Sequence, residues 1–283
     1  MVDELGACDD RRLAMSGRAS AALDAAGRGA ELVRRLPTWA GVLLLSALPA
    51  RLLLAYVIWQ AWRLGDAAAA AGDALRSLAY IALGAWVIAQ IGRQFFVRAC
   101  AMDLDGGRLL ASEVLRVPWS TIIAALWLAI LLEVLFWMTL PMMVVSLVVL
   151  VLAPVAAACV AEAGPGWSAP IRRLYQVVRP LPLFILGMGF LIALPMAMLN
   201  LHFIVRLLLW LTEGLVGFDI AYWQAVLSPE QPLYWLQITA GATLVLEPFW
   251  LAAAMVEVRQ ARARHSGEDL RQWFGDLVAR EDA

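Results

Sequence analysis

The sequence predicts an all-α fold: a polytopic transmembrane helix bundle of six spans, with amphipathic helices at the membrane interface. Of the 283 residues, 63% are apolar and 16% are charged, and the mean hydropathy is +0.75. A soluble domain is about 45–50% apolar and about a quarter charged, so a soluble core could not bury this much apolar side chain. The excess lies in blocks of roughly 20 residues, the length of helix that crosses a bilayer.

Six apolar blocks are the predicted spans, and together they form a membrane domain over residues 38–257. Proline and tryptophan mark the boundaries, because proline interrupts helices and the tryptophan ring favours the headgroup level. Trp39 and Trp119 begin the first and third spans, and Pro141 begins the fourth after a tight turn. The predicted spans are residues 39–62, 77–97, 119–138, 141–162, 181–200 and 232–257.

The arginines predict the orientation, because arginine-rich loops stay on the cytoplasmic side of a membrane. Most of the arginines lie in the two ends of the chain, residues 1–37 and 258–283, and in the loops at 98–118 and 163–180. The remaining connections hold only Arg63, Arg76 and Arg206. We therefore expect both termini to be cytoplasmic.

The stretch 201–231 is predicted to be an interfacial or re-entrant segment on the outer side. Residues 203–218 are apolar, but Arg206 and Glu213 interrupt them. A seventh crossing would also move the arginine-rich tail to the outside, against the positive-inside rule. We expect the fifth span to end at residue 200 and an interfacial or re-entrant helix to follow at 201–218.

Amphipathic segments flank the predicted bundle at both ends. Residues 12–35 are rich in alanine with spaced arginines, which is typical of a helix on the cytoplasmic membrane surface. In the tail, apolar residues recur at helical spacing and form one face of a helix. This face could contact the membrane surface, the loops of the bundle or a partner subunit, and the sequence favours none of the three. The residues of this face are Leu270, Trp273, Phe274, Leu277 and Val278.

Three charged residues lie well inside predicted spans: Arg51 in the first, Glu133 in the third and Glu247 in the sixth. A charge in hydrocarbon costs a few kcal/mol, so such residues usually pair or line a cavity. Arg51 and Glu133 are predicted at similar depths, and Glu247 is the competing partner for Arg51. We interpret the charges as a buried ion pair that fixes helix packing; a polar pathway or substrate pocket is the alternative.

No catalytic or metal-binding motif occurs in the sequence. The patterns GxxxxGK[ST], HExxH and GxSxG are missing, and Cys8, Cys100 and Cys159 are scattered without a CxxC pair. The acidic stretch from Asp103 to Gly107 resembles the start of a calcium loop but lacks the closing glutamate, and we interpret it as a turn. The sequence thus predicts no catalysis, cofactor or metal, and 22 basic against 23 acidic residues indicate no nucleic-acid partner.

Two segments in the last third of the chain follow a family pattern. Residues 172–182 read RRLYQVVRPLP, residues 247–250 read EPFW, and a basic stretch then leads to Gly267, Asp269 and Leu270. These segments resemble bacterial multi-span proteins similar to the membrane domain of glycerophosphoryl diester phosphodiesterase. Ser266 and Glu268 depart from the pattern. The resemblance implies a multi-pass module of the bacterial inner (plasma) membrane rather than a hydrolase.

Two functional hypotheses follow from the sequence. The first is a non-catalytic inner-membrane subunit or scaffold of a larger complex, whose partners are the lipid bilayer and other membrane subunits, with a homo-oligomer as one form of that complex. The alternative is the permease of an ATP-binding-cassette-type exporter, in which residues 12–35, 108–116 and 201–218 would be the elbow, coupling and re-entrant helices. That alternative rests on similarity of layout alone.

Overall fold

The computed structural model describes residues 21–65, 72–107, 109–139, 141–163, 169–177, 180–216 and 221–266. Within these ranges 92% of the residues are helical and none is in a strand, so the predicted all-α fold is confirmed. The first described helix, α1, covers residues 21–35. The following helices are α2 (Pro37–Leu64), α3 (Gly72–Leu104), α4 (Ala111–Leu115), α5 (Trp119–Thr139), α6 (Met143–Glu162), α7 (Ala169–Val177), α8 (Pro180–Val216), α9 (Ala221–Val226) and α10 (Pro232–Ser266).

Five helices are long and apolar enough to cross a membrane, which makes this a multi-pass membrane protein. They are α2, α3, α5, α8 and α10, and the spans within them are Pro37–Leu64, Leu75–Leu104, Trp119–Thr139, Ile185–Leu215 and Pro232–Arg264. The other predicted span corresponds to α6, whose apolar stretch Val148–Glu162 is shorter than these five. The number of six crossings therefore stays a prediction.

The break predicted at residue 200 is absent, because α8 is one continuous helix from Pro180 to Val216. The reason is local. No glycine or proline occurs between Pro195, which lies inside the helix, and Gly214, so nothing interrupts the backbone there. Arg206 and Glu213 lower the hydropathy but are compatible with a helix. The helices α3 and α10 likewise run past their predicted ends at 97 and 257.

Proline and glycine define the ends of α2. Pro37 occupies its first turn, where the missing N–H has no helical partner to lose. Gly65 follows the last helical residue with φ +48°, a conformation that side chains disfavour, and its N–H donates to the carbonyl of Ala61. These two residues explain why α2 begins and ends where it does.

The described residues divide into two compact units. Unit 1 lies within Met1–Arg35, Val97–Gly187 and Phe249–Ala283, and unit 2 lies within Leu36–Phe96 and Met188–Pro248. In unit 1, α5 and α6 pack as an antiparallel hairpin over a core of small and aliphatic side chains. The buried members of this core are Ala125, Leu128, Leu132, Val149, Ala156 and Val160.

Small residues bring the helices of unit 2 together. Ala47 and Ala50 of α2, Ala89 of α3 and Leu244 of α10 form one buried cluster. Beside it, a Cβ atom on Gly92 of α3 would collide with the side chain of Ser46 in α2. Because small residues let helix backbones approach closely, α2, α3 and α10 are near enough to share the polar residues described next.

Candidate functional site

Three helices of unit 2 bring charged side chains to one carboxylate. Glu247 of α10 accepts a hydrogen bond at Oε2 from Arg51 Nη2 of α2, at 3.2 Å. Its other oxygen, Oε1, accepts a hydrogen bond from Nε of Arg93 of α3. Arg93 Nη1 also donates to Oε1 of Gln90, one turn earlier, at 3.1 Å. We call Arg51, Arg93 and Glu247 the ion cluster.

The ion cluster lies well inside three candidate spans. Arg51 is close to the midpoint of α2, which runs from Pro37 to Leu64. Glu247 is close to the midpoint of α10, and Arg93 precedes the end of α3 by several turns. At about 1.5 Å per residue, each charge is about 16–23 Å from the nearer end of its helix. All three charges therefore lie within candidate spans and away from the helix ends.

The carboxylate side chain is enclosed, while the two arginine side chains are partly exposed. The side chain of Glu247 is 6% exposed, against 32% for Arg51 and 21% for Arg93. An enclosed carboxylate is tolerable only because charged donors satisfy both of its oxygens. The cluster has two positive charges for one negative charge, so its net charge is +1.

A proline and small residues lie next to the ion cluster in the sequence. Pro248 follows it inside α10 and has no N–H to donate to the carbonyl one turn earlier. Small residues around the cluster, among them Ala50 and Gly92, leave room for two arginine side chains between closely spaced helices.

The structure places the sequence-predicted charges in different parts of the fold. Arg51 and Glu247 are together in unit 2 and form one of the two pairings that the sequence left open. Glu133 lies in the second half of α5, in unit 1, with an exposed side chain. The predicted apolar face of the tail, from Leu270 to Val278, lies outside the described residues.

Sequence reasoning missed Arg93. The predicted span ends at residue 97, which puts Arg93 near a membrane surface, whereas α3 continues to Leu104. A signal was present in the spacing of Gln90, Arg93 and Gln94, which fall at i, i+3 and i+4 and therefore share one face of the helix. A polar face inside an otherwise apolar helix indicates an internal partner.

A second group of ion pairs joins three helices of unit 1. Arg259 of α10 donates from Nε to Glu162 Oε1 at the end of α6, at 2.8 Å, and from Nη2 to Asp105 Oδ2, just after α3, at 2.9 Å. Arg262 also donates to Glu162, at 3.0 Å. The hydrogen bond from Arg259 lowers the pKa of Asp105. Asp105 therefore belongs to an interhelical contact, beside a turn at Gly106 whose φ is +66°.

One histidine and two cysteines of the described residues have a partner or are buried. His202 Nδ1 lies 2.6 Å from the hydroxyl of Tyr234, and its ring stacks on Trp235 at a centroid distance of 5.5 Å. Cys100 and Cys159 are buried free thiols. In the described ranges, no group of three His, Cys, Asp or Glu side chains is arranged to hold a metal ion.

Comparison with known proteins adds no relative: no family model, curated protein or solved structure matches this chain. The fold and the site therefore define the class by themselves. This is a helical multi-pass membrane protein with an Arg–Glu–Arg cluster inside its candidate spans. The cluster can fix helix packing, and its surplus positive charge can attract an anion.

Proposed function

We propose that this protein is a non-catalytic integral membrane subunit, or scaffold, of a larger membrane protein complex. The observation that carries the proposal is the second half of α8, which is apolar, is longer than the membrane requires and has little cover from the rest of the chain. The length of this segment, its exposure and its difference from the buried end of α3 support the proposal.

The length of α8 exceeds what a bilayer can hold. Its apolar stretch Ile185–Leu215 has 31 residues and is therefore about 46 Å long. Fitting all of it into a hydrocarbon core of about 30 Å would need a tilt of about 50°, beyond the observed range of about 0–40°. If residues 181–200 cross the membrane, residues 201–216 extend past the hydrocarbon.

This extension exposes large apolar side chains. No residue between 201 and 215 is buried. The end of α3 is different, because Phe96, Val97 and Cys100 are fully buried there. Contiguous exposed apolar surface outside hydrocarbon is typical of an interaction site. The exposed residues are Phe203, Ile204, Leu207, Leu208, Trp210 and Leu215.

We further propose six crossings, with both termini in the cytoplasm of a bacterium and the bundle in the inner membrane. The hairpin of α5 and α6 supports the sixth crossing, because α6 returns along the same part of α5 that is long enough to span. The 20 residues of α6 measure about 30 Å, the thickness of the hydrocarbon core. The arginine distribution supports the orientation. Lipid and partner subunits then cover the amphipathic ends.

The experiment is a test of assembly. A triple variant, Phe203→Ser, Leu208→Ser and Trp210→Ser, removes apolar side chains from the extension. We expect the wild-type chain, solubilised in a mild detergent, to migrate as a complex larger than the monomer on native electrophoresis. The triple variant is expected to shift to the mass of the free chain.

Ile192→Ser is the matched control, because Ile192 is equally exposed on the same helix but lies in the half that crosses the membrane. This control should leave the complex intact. A wild-type chain that is monomeric in every mild detergent, or a triple variant that assembles like the wild type, would contradict the proposed function.

One observation favours the exporter-permease alternative, namely the ion cluster deep inside the candidate spans. Charged residues at that depth often mark a substrate pathway. The two functions predict different companions. A nucleotide-binding ATPase subunit that copurifies with the chain would favour the permease, whereas a membrane assembly with no ATPase subunit would favour the scaffold.

A further inference from the structure

The ion cluster has one carboxylate for two guanidinium groups. Glu247 already accepts a hydrogen bond at each oxygen, one from Arg51 and one from Arg93. The third recorded acceptor, Gln90 Oε1, is neutral. A net positive charge within three apolar candidate spans is costly where lipid surrounds it, so an additional negative group would stabilise the cluster.

The arginines still have N–H donors for such a group. Arg51 uses Nη2 for Glu247, and Arg93 uses Nε and Nη1 for Glu247 and Gln90. A guanidinium has five N–H donors in a planar fork. Nε and Nη1 of Arg51 and Nη2 of Arg93 therefore lie outside these hydrogen bonds.

The side chains of the ion cluster differ in their exposure. Both guanidinium side chains are partly exposed, whereas the Glu247 side chain is enclosed. The arginine side chains are therefore more accessible to an additional group than the carboxylate is. Gln94, next to Arg93, is also buried, and its Oε1 accepts no hydrogen bond among the described residues. This orphaned oxygen is an acceptor, so the N–H donors for an anion come from the two arginines alone.

We propose that Arg51 and Arg93 form a binding site for a monovalent carboxylate. A single negative charge brings the cluster to neutrality, and two carboxylate oxygens match the planar forks of guanidinium groups. The carboxylate comes either from a soluble acid or from a lipid-derived fatty acid, since both present the same group. The site is independent of the α8 extension and therefore of the proposed assembly function.

The test measures anion-dependent stability of the full chain in detergent. Thermal unfolding, followed by tryptophan fluorescence, is recorded with increasing acetate, oleate or the neutral isostere acetamide. A ligand that binds only the folded state raises Tm with its concentration. We expect acetate or oleate, but not acetamide, to raise Tm. Acetate would identify a soluble ligand, and a response to oleate alone would identify a lipid-derived one.

Single substitutions show whether the arginines cause the rise of Tm with carboxylate. Arg51→Gln and Arg93→Gln each leave a neutral Arg–Glu pair, and each should weaken carboxylate binding by about ten-fold or more, the typical loss for a charged hydrogen bond. Arg63→Gln is the control, because Arg63 lies at the exposed end of α2 and stacks on Trp59 instead. This variant should respond like the wild type.

A variant of the carboxylate tests the same site if the arginine variants do not fold. Glu247→Gln retains both guanidinium groups and increases the positive charge, so its Tm should rise more steeply with carboxylate than that of the wild type. Three results would overturn the proposal: no response to acetate or oleate, an equal response in Arg93→Gln and the wild type, or a Glu247→Gln protein that carboxylate does not stabilise.

Discussion

At the scale of single residues, Glu247 is the side chain on which the interior of unit 2 depends most. It is enclosed and is contacted by two arginines from two other helices. Buried ion pairs add little net stability compared with an apolar core, but removing one partner leaves the other charge unpaired. The cluster therefore specifies which helices pack together more than it adds to the free energy of unfolding.

The first prediction concerns this carboxylate. Glu247→Gln leaves two guanidinium groups without their anion and should reduce the free energy of unfolding by about 3–5 kcal/mol. Denaturant unfolding in detergent micelles without added carboxylate measures the change. Glu230→Gln, in the exposed turn before α10, should change it by less than about 0.5 kcal/mol. Equal stability of Glu247→Gln and the wild type would show that the cluster does not determine packing.

The second prediction concerns Asp105 and pH. Folding lowers its pKa through the hydrogen bond from Arg259, so its contribution to stability is complete above the ordinary aspartate pKa of about 3.9 and is lost as pH falls through the lower folded value. Because Asp105 is exposed, this contribution is below about 1 kcal/mol. The Tm difference between the wild type and Asp105→Asn should therefore be small at neutral pH and vanish in acid.

A second background provides the control for Asp105. In Arg259→Gln the hydrogen bond that lowers the pKa is missing, so Asp105→Asn should cause no further pH-dependent loss. A Tm difference that grows as pH falls, in either background, would contradict the sign of this effect.

At the scale of helices, close contacts at small residues determine the packing. In unit 1, α1 meets α10 at Gly29, where a Cβ atom would lie 2.6 Å from the backbone nitrogen of Ala253 and 2.8 Å from its Cα. A backbone cannot move aside as a flexible side chain can. α1 and α10 are therefore held at a distance that glycine alone permits.

The third prediction compares two glycines of the same helix. Gly29→Ala should force α1 away from α10 and destabilise the protein by about 1–3 kcal/mol. Gly27→Ala is the control, because a Cβ atom there has no neighbour within 4 Å, and alanine should stabilise the helix by up to about 1 kcal/mol. Thermal unfolding should show a lower Tm for Gly29→Ala and an equal or higher Tm for Gly27→Ala than for the wild type. Stabilisation by Gly29→Ala would exclude the close contact.

At the scale of the whole molecule, hydropathy predicts most of the fold, and the limits of that prediction are physical. Apolar blocks of about 20 residues locate the membrane helices, because the length of a span depends on the thickness of the bilayer. It does not locate helix ends beyond the hydrocarbon, which is why the continuation of α8 past residue 200 and of α3 past residue 97 was missed. Hydropathy measures solvent preference, whereas a helix continues until its backbone is interrupted.

Hydropathy likewise predicts only part of the candidate site. Arg51 and Glu247 stand out because each interrupts a long apolar block far from its ends. Arg93 is marked only by the polar face that it shares with Gln90 and Gln94, and its partner Glu247 is 154 positions away. Pairings between distant helices depend on tertiary packing, which a single sequence does not encode in any local pattern.

The most direct test of the account is whether the chain crosses the membrane an even number of times. With the native cysteines replaced by alanine, single cysteines are introduced by Gly27→Cys and Ala283→Cys. Intact bacterial cells are then treated with a membrane-impermeant maleimide. We predict that both positions are protected and react only after permeabilisation, as six crossings with cytoplasmic ends require. Labelling of one position but not the other in intact cells would mean an odd number of crossings and would contradict the account.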